Sequence, residues 1–490
     1  MSSVRDIAGK LNVPSREGGV HTFDPLVLKG SKPIHHRKFE HMEPVFWSPS
    51  CKIPNKEQTV EPIPSKFMNE FVNENVDNKE YIELKSKCDV KQSGYSDERY
   101  WKSVRKCDAS PKKPNNVFLD LAVEYTKTHL SFLHGSQITR NVEINWDTGA
   151  GIPHHMRGAQ KKKDFLETTP KGFKLSDTFL ELCRQQHTPV WKVPPKEEFL
   201  LKQDITDGKL RTFFISPFDF LLQQKTLWTE MDKKILKAHK TSWSKYGYTK
   251  QCGGFDRLFK LIDRFKLRFM GDVSGYDRTL PLLPEVYQIR KFFLKYPKKM
   301  EDMVDWVIKE TCNPACGFND GSIYRRICGN GSGSNETTTD NTIAHIIIMM
   351  YFFITLYFEK FGVLISYDNL MAHVEVALYG DDNAGSLDHE YFDINADELR
   401  EKLISVYNEF GLVLKQSALN IEFDNGPIRD LEFLGSRTRW SERYQVYLPA
   451  PRFSKILGTL FYKLPKEEET YISVASKIVA LYDLVNPLGD

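Results

Sequence analysis

Downstream of residue 265 the alternation of apolar and polar positions marks out one element after another. KLRFMGDV, residues 266–273, alternates into an apolar strand that ends on Asp272. VEVALYGDDNAGSL, residues 374–387, predicts an apolar strand, a tight acidic turn and a second short strand, with Gly380 suited to the turn. ADELREKLISVYNEFG then reads as a helix and LEFLGSRTR as a strand. Between these lies TIAHIIIMMYFFITLYF, residues 342–358, apolar almost all round. A membrane span needs about 20 such residues. This run is shorter, carries His345 and follows a Gly/Ser/Asn-rich loop, so it predicts a fully buried helix and no intrinsic membrane span. Upstream, FLDLAVEYTKTHLSFL behind Pro111 and Pro114 predicts an amphipathic helix. SDERYWKSV and PSKFMNEFVNENV read as partly helical, and residues 1–60, rich in Pro, His, Lys and Ser, as extended chain laid over a surface. Strand, helix, helix, hairpin, helix, strand is an α+β order: an antiparallel sheet with helices packed on one face.

Composition narrows the function classes. Of 490 residues, 40% are apolar and 27% charged, which is globular and excludes global disorder. Sixty-eight basic against 65 acidic residues give a net charge of +3, too balanced for a polycationic packaging protein. Basic segments remain local, above all Lys161, Lys162 and Lys163. Eight cysteines are too sparse for a disulfide framework, and the spacing of Cys312 and Cys316 is not that of a zinc knuckle. Reduced, mostly buried thiols are expected. MSSVRDIAGKLNV lacks the apolar core of a secretory signal, which points to the cytosol.

The carboxylates carry the candidate chemistry. If the strands ending at Asp272 and at the Gly380-Asp381-Asp382 turn are neighbours, Asp272 and Asp381 converge at one sheet end. Hard oxygen ligands without His or Cys partners favour magnesium or manganese over zinc. Two such ions, roughly 3.5–4 Å apart, can clamp the attacking and leaving oxygens of a phosphoryl transfer. A Gly-Asp-Asp triplet alone is as readily a polar turn; the weight comes from its surroundings. Residues 272–277 read Asp-Val-Ser-Gly-Tyr-Asp, and residues 332–341 read Ser-Gly-Ser-Asn-Glu-Thr-Thr-Thr-Asp-Asn.

In these segments the chain resembles the RNA-dependent RNA polymerases of positive-strand RNA viruses, of the picornavirus, astrovirus and sobemovirus-like group. Asp272 through Asp277 matches motif A, Asp-x4-Asp. Ser332-Gly333-x3-Thr337-x3-Asn341 matches motif B, and Gly380-Asp381-Asp382 matches motif C. Lys196-Glu-Glu followed by Gly208-Lys209-Leu-Arg211 is similar to motif F. Thr148-Gly-Ala-Gly151-Ile-Pro153 is similar to motif G, and Leu431-Glu-Phe-Leu-Gly435 to motif E. The resemblance covers about residues 140–440. It implies a right-hand fold: an N-terminal extension and part of the fingers in 1–115, fingers in 116–265, palm in 266–300, a fingers insertion in 301–328, palm again in 329–440 and a small or truncated thumb in 441–490.

The resemblance also implies roles. Asp272, Asp381 and Asp382 would hold two Mg2+ ions, for which Mn2+ can substitute, and act in catalysis. Lys196, Lys209 and Arg211 would grip the triphosphate, Arg bidentately. Ser332, Gly333 and Thr337 would face template and nucleotide, while Asp277 and Asn341 would pair to read the ribose 2′-hydroxyl. Thr148, Gly151 and the Lys161–Lys163 run would track RNA. Motif D is a departure: Lys415 is a candidate general acid, yet an ungapped alignment puts Leu419 at the lysine position. The implied partners are an RNA template and nascent strand, ribonucleoside triphosphates, and a viral protein primer or other replication proteins. The implied location is the host cytoplasm, at membrane-associated replication complexes. Two competing readings remain. A reverse transcriptase usually has an aromatic residue where Asp277 sits, and a non-catalytic RNA-binding protein would need no divalent metal.

Overall fold

The computed structural model describes residues 23–34, 38–53, 63–74, 90–139, 141–170, 172–334, 336–429, 431–451, 458, 460–463 and 469–485. The N-terminal stretch read for a secretory signal, Cys88 and about half of residues 452–490 lie outside them.

Four antiparallel strands form the central sheet, in the order Val374–Tyr379, Asp382–Leu387, Leu267–Gly271, Asn420–Phe423. Leu267–Gly271 is buried along its whole length, Arg268 included. The Arg268 charge is compensated by Asp263, as burial of a guanidinium requires. Asn383 sits opposite Gly271 in this register, so the turn of the hairpin and the end of the middle strand lie at the same sheet edge.

The long apolar run folds as the helix Thr337–Phe361, whose residues 339–356 are buried without interruption. By length and composition this helix could cross a membrane, but 89% of its most apolar window is buried inside the protein. It packs against the helices Val117–His129, Leu283–Phe293 and Ala396–Glu409 and the strand Val374–Tyr379. Each buried Ile, Met or Phe contributes roughly 1.5–3 kcal/mol, which anchors the helix despite its polar start. That start is fixed by a buried ionic group. Arg290 donates through Nε to Asp340 at 2.7 Å and through a second nitrogen to Asp232 at 3.0 Å, while Tyr287 donates to Asp340 at 2.8 Å. Asn395 and Glu398 form a capping box on Ala396–Glu409, and the Asn116 side chain accepts from the Leu119 N–H at 3.0 Å.

A second sheet runs Glu43–Trp47, Ser322–Arg325, Ala315–Gly317, Val190–Lys192, the last pair parallel. The stretch read as one strand, LEFLGSRTR, is a hairpin. Leu434 and Gly435 both take positive φ, 52° and 69°, and reverse the chain between Glu432–Phe433 and Ser436–Ser441. The amphipathic helix also stops earlier than its pattern predicts, at His129, and a 3-10 turn covers Ser131–Leu133. His129 is the anchor there, hydrogen-bonded to Tyr367 at 3.1 Å and accepting the Trp243 N–H at 3.1 Å. Among the described cysteines, Cys252 is exposed and the other six are buried, all as free thiols.

Candidate active site

Strand pairing builds the site from its middle outward. Tyr379 faces Asp382 across the hairpin, leaving Gly380 and Asp381 as a two-residue turn. Gly380 has φ +64°, a conformation that costs a residue with a Cβ but not glycine. The peptides on both sides of Gly380 are held by the long helix. Its N–H donates to Thr342 Oγ1 at 2.9 Å and its carbonyl accepts from His345 Nδ1 at 2.9 Å. A carbonyl can only accept, so Nδ1 carries the proton and Nε2 accepts from the Tyr407 hydroxyl. Burial pushes the His345 pKa down to about 4, keeping the ring neutral. Tyr276 lies against this ring, centroids 5.2 Å apart, and donates to the Asn341 carbonyl at 3.2 Å.

Asp272 follows the strand Leu267–Gly271. Residues 413–415 run alongside it: Val273 bridges Leu414, and the Lys415 N–H donates to the Asp272 carbonyl at 2.9 Å. Lys415 Nζ thereby reaches Asp272 Oδ2 at 2.6 Å. Leu419, the alternative position for the lysine, is buried.

The acidic groups feel one another. Asp381 keeps a solvent-exposed face, yet lost hydration raises its carboxyl, and Asp277 and Asp272 raise it further, against Lys415. Asp382 is pushed up to about 7, first by burial, then by Asp381, Asp272 and Glu432, with Lys250 opposing. Lys250 donates to Ser436 Oγ at 2.8 Å and to the Leu434 carbonyl, so the motif E hairpin aims this ammonium toward Asp382. Among the described residues no three His, Cys, Asp or Glu side chains close on one point as a complete cage. Asp272, Asp381 and Asp382 are the oxygen donors that could hold a cation here.

Asp277 and Asn341 make no direct hydrogen bond; Asn330 joins them. The Asn330 N–H donates to the Asp277 carbonyl at 2.6 Å and its Nδ2 to Asn341 Oδ1 at 3.0 Å. Ser332 is exposed in the adjoining loop, and Thr337 Oγ1 donates to the Gly331 carbonyl at 2.7 Å, closing the loop onto the helix start. A Cβ on Gly333 would stand 1.5 Å from the Phe214 carbonyl oxygen, and one on Gly331 2.9 Å from the Trp191 ring. This loop can therefore press on Trp191 and Phe214, which flank the motif F segment, only as glycine.

Motif F is itself a ribbon. Pro195 bridges Thr212, and the Lys196 N–H donates to the Arg211 carbonyl at 2.7 Å. Lys196 and Arg211 both approach Glu198 at 3.3 Å, whereas Lys209 turns to Asp204 at 2.9 Å. Lys106, outside every motif, has its pKa lowered by lost hydration and then by Arg278, Lys102, Lys209 and Lys415. Cations from four chain segments thus gather near the acidic edge.

Thr148, Gly151 and the lysine run form a separate unit. Gly149 bridges Lys161, and the Phe218 N–H donates to the Ala150 carbonyl at 3.0 Å. Gly151, φ +84°, leaves its Cβ position 3.0 Å from the Ser216 carbonyl oxygen. The three lysines are not equivalent. Lys161 and Lys163 flank Asp147, whereas Lys162 is turned inward, donates to Thr148 Oγ1 at 2.7 Å and lies 5.9 Å from the Phe218 ring. Burial and Lys225 bring its pKa down to about 8. The sequence reading missed Asn330, Thr342, Lys250 and Lys106 and left His345 without a role; only His345 carried a signal, as a polar interruption of an apolar run.

A family profile described as viral RNA-dependent RNA polymerase matches residues 36–484. The chain belongs to that family. It is 26% identical over 347 residues to a genome polyprotein of Brome streak virus (strain German), covering 69% of this chain and 34% of the relative. It is 27% identical over 283 residues to the non-structural polyprotein 1AB of Turkey astrovirus 2, covering 56% and 17%. The chain thus spans about a third or less of the length of these relatives.

Proposed function

We propose that this chain copies RNA templates into RNA and so replicates a positive-strand viral genome. The observation that carries the reading is the meeting of Asp272, Asp381 and Asp382 at one sheet edge, where burial and neighbouring carboxylates raise the carboxyls of Asp381 and Asp382. Hard oxygen donors that oppose one another fit a divalent cation. Magnesium needs only one or two protein carboxylates when phosphate oxygens and water complete its shell, so a closed cage is not required. Two Mg2+ ions, or Mn2+, held by these aspartates would offset charge on the triphosphate and activate the primer hydroxyl.

The chain's own residues supply the rest. Arg211, Lys196 and Lys209 bind and orient the triphosphate, exchanging Glu198 and Asp204 for phosphate oxygens. The primer 3′-hydroxyl gives up its proton to solvent as its oxygen attacks the α-phosphorus in line, and the bond to pyrophosphate breaks. Lys415, beside Asp272, delivers a proton from Nζ to the leaving oxygen. Positioning and charge do most of the work. In this reading the central sheet and its helices are the palm (266–300 and 329–440), residues 116–265 and 301–328 the fingers, with 1–115 extending them, and 441–490 a small thumb. Thr148, Gly151, Lys161 and Lys163 follow the RNA, and a viral protein primer or other replication proteins bring the chain to membrane-associated complexes in the host cytoplasm.

One assay tests the proposal: primer extension on an RNA template with ribo- or deoxyribonucleotides, with and without magnesium. Metal-dependent incorporation of ribonucleotides is expected. Incorporation of deoxyribonucleotides alone would favour a reverse transcriptase, and no extension under any condition would sink the catalytic reading.

A further inference from the structure

Asn330 lies two residues before Ser332, is wholly buried, and has contacts in three directions. Its N–H holds the Asp277 carbonyl at 2.6 Å. Its Nδ2 donates to Asn341 Oδ1 at 3.0 Å and, more loosely, to the Thr337 carbonyl at 3.4 Å. The Thr337 carbonyl can only accept, so Asn330 must turn its NH2 half that way. The same NH2 faces Asn341, which must answer with Oδ1. Asn330 Oδ1 is buried without a partner, a cost in stability, so the NH2 half is what the position uses. The outcome for Asn341 is fixed: Oδ1 points back to Asn330, and Nδ2 has no hydrogen-bond partner among the described residues.

A 2′-hydroxyl has one proton to give and lone pairs to receive. The Asp277 carboxylate, when ionised, can only accept. A second reader that also offered an oxygen would compete for the same proton, whereas an N–H complements it. We propose that Asn330 is a specificity-positioning residue: it sets which end of the Asn341 amide meets the sugar, so that Asn341 donates to the 2′-oxygen while Asp277 accepts the 2′-proton. This inference rests on the polymerase reading and on Asp277 and Asn341 reading the ribose. It adds a residue that need not touch the nucleotide and lies outside the matched motif B positions.

The test is kcat/KM for a matched ATP and dATP pair on one RNA primer–template, in wild type, Asn330→Asp, Asn330→Ala and Asn341→Ala. Asn330→Asp keeps the shape and removes the donor, which lets the Asn341 amide turn over. The ribo-to-deoxyribonucleotide ratio should fall about tenfold, through ATP rather than dATP, and Asn341→Ala should lower it as well. Combining Asn330→Asp with Asn341→Ala should add little beyond the larger single effect, because both act on one contact. If Asn330→Asp does not fold, as a melting curve will tell, Asn330→Ala must show the same fall in ratio. An equal loss for ATP and dATP, or an unchanged ratio in the folded Asn330 variants beside a lowered one in Asn341→Ala, overturns the role of Asn330 and leaves the sugar reading standing. An unchanged ratio in Asn341→Ala overturns the sugar reading itself, and wild-type protein without templated synthesis overturns both.

Discussion

His345 donates from Nδ1 to the carbonyl oxygen of Gly380 across 2.9 Å, from within the buried stretch of the helix Thr337–Phe361. With Thr342 accepting the Gly380 N–H on the preceding peptide, it fixes the turn that carries Asp381. His345→Phe fills the space and keeps the packing with Tyr276 but leaves the Gly380 carbonyl without its donor. A buried acceptor left unpaired costs about 1–3 kcal/mol. The expected result is a fall in kcat of about tenfold or more with nucleotide KM nearly unchanged. A variant with wild-type kcat would show that the turn holds its shape without this contact.

The same histidine predicts an acid-sensitive contribution to stability. Burial holds His345 at about 4 and His129 at about 3, the latter helped by Lys245, whereas both return to the ordinary histidine value near 6.5 on unfolding. Below about pH 6.5 the two rings bind protons in the unfolded chain that they refuse in the folded one, so their contribution to stability falls as pH drops toward 4, by up to ~1.4 kcal/mol per pH unit for each ring, opposed over the same range by Asp382 and Asp340, whose carboxyls burial raises to about 7 and about 6. Urea unfolding between about pH 7.5 and pH 5 reads this slope. His345→Phe should make it shallower by one proton, and an identical slope would assign the acid sensitivity to other groups.

Asp272→Asn and Asp381→Asn should each abolish extension while melting near wild type, because each removes a charged oxygen donor from the acidic edge. The loss should exceed about 100-fold, several kcal/mol of barrier. Retention of more than about a tenth of the wild-type rate by either variant would remove that residue from the metal site.

Lys196 and Arg211 share Glu198, so their charge is partly spoken for before a triphosphate arrives. Glu198→Gln should lower the nucleotide KM by freeing both. Arg211→Ala should raise it about tenfold while template affinity holds, and Arg211→Lys should recover only part, since an ammonium lacks the planar fork. Full activity in Arg211→Lys would mean that charge alone matters there.

The lysine run should divide by orientation. Lys161→Ala and Lys163→Ala should each flatten the salt dependence of RNA binding by about one unit. Asp147→Asn, which removes the carboxylate between them, should steepen it. Lys162→Ala should lower the melting temperature, because Lys162 ties Thr148 to the Phe218 ring. Equal effects of all three lysines on the salt slope would contradict the inward turn of Lys162.

Much of the central sheet was legible because its strands obey the simplest rule. Leu267–Gly271 and the hairpin around Gly380 show apolar stretches closed by turn chemistry, and the helix Thr337–Phe361 announces its burial by being apolar on every side. The hairpin inside LEFLGSRTR stayed hidden because Leu434 is no turn former and takes positive φ only under the surrounding packing. Lys415 could be set against Leu419 only in space, since the pairing of Leu414 with Val273 decides which side chain reaches Asp272. Asn330 and Thr342 matter through hydrogen bonds to residues far along the chain, and a spacing pattern carries no trace of such bonds.

Gly331 and Gly333 press the motif B loop against Trp191 and the Phe214 backbone with no room for a Cβ. Every coding change at position 333 adds at least that one carbon, so a genome copied with errors has no tolerated neighbour to sample there. An inhibitor that leaned on this seam would rest on residues the virus is not free to exchange, and escape would have to come from repacking Phe214 and the loop together.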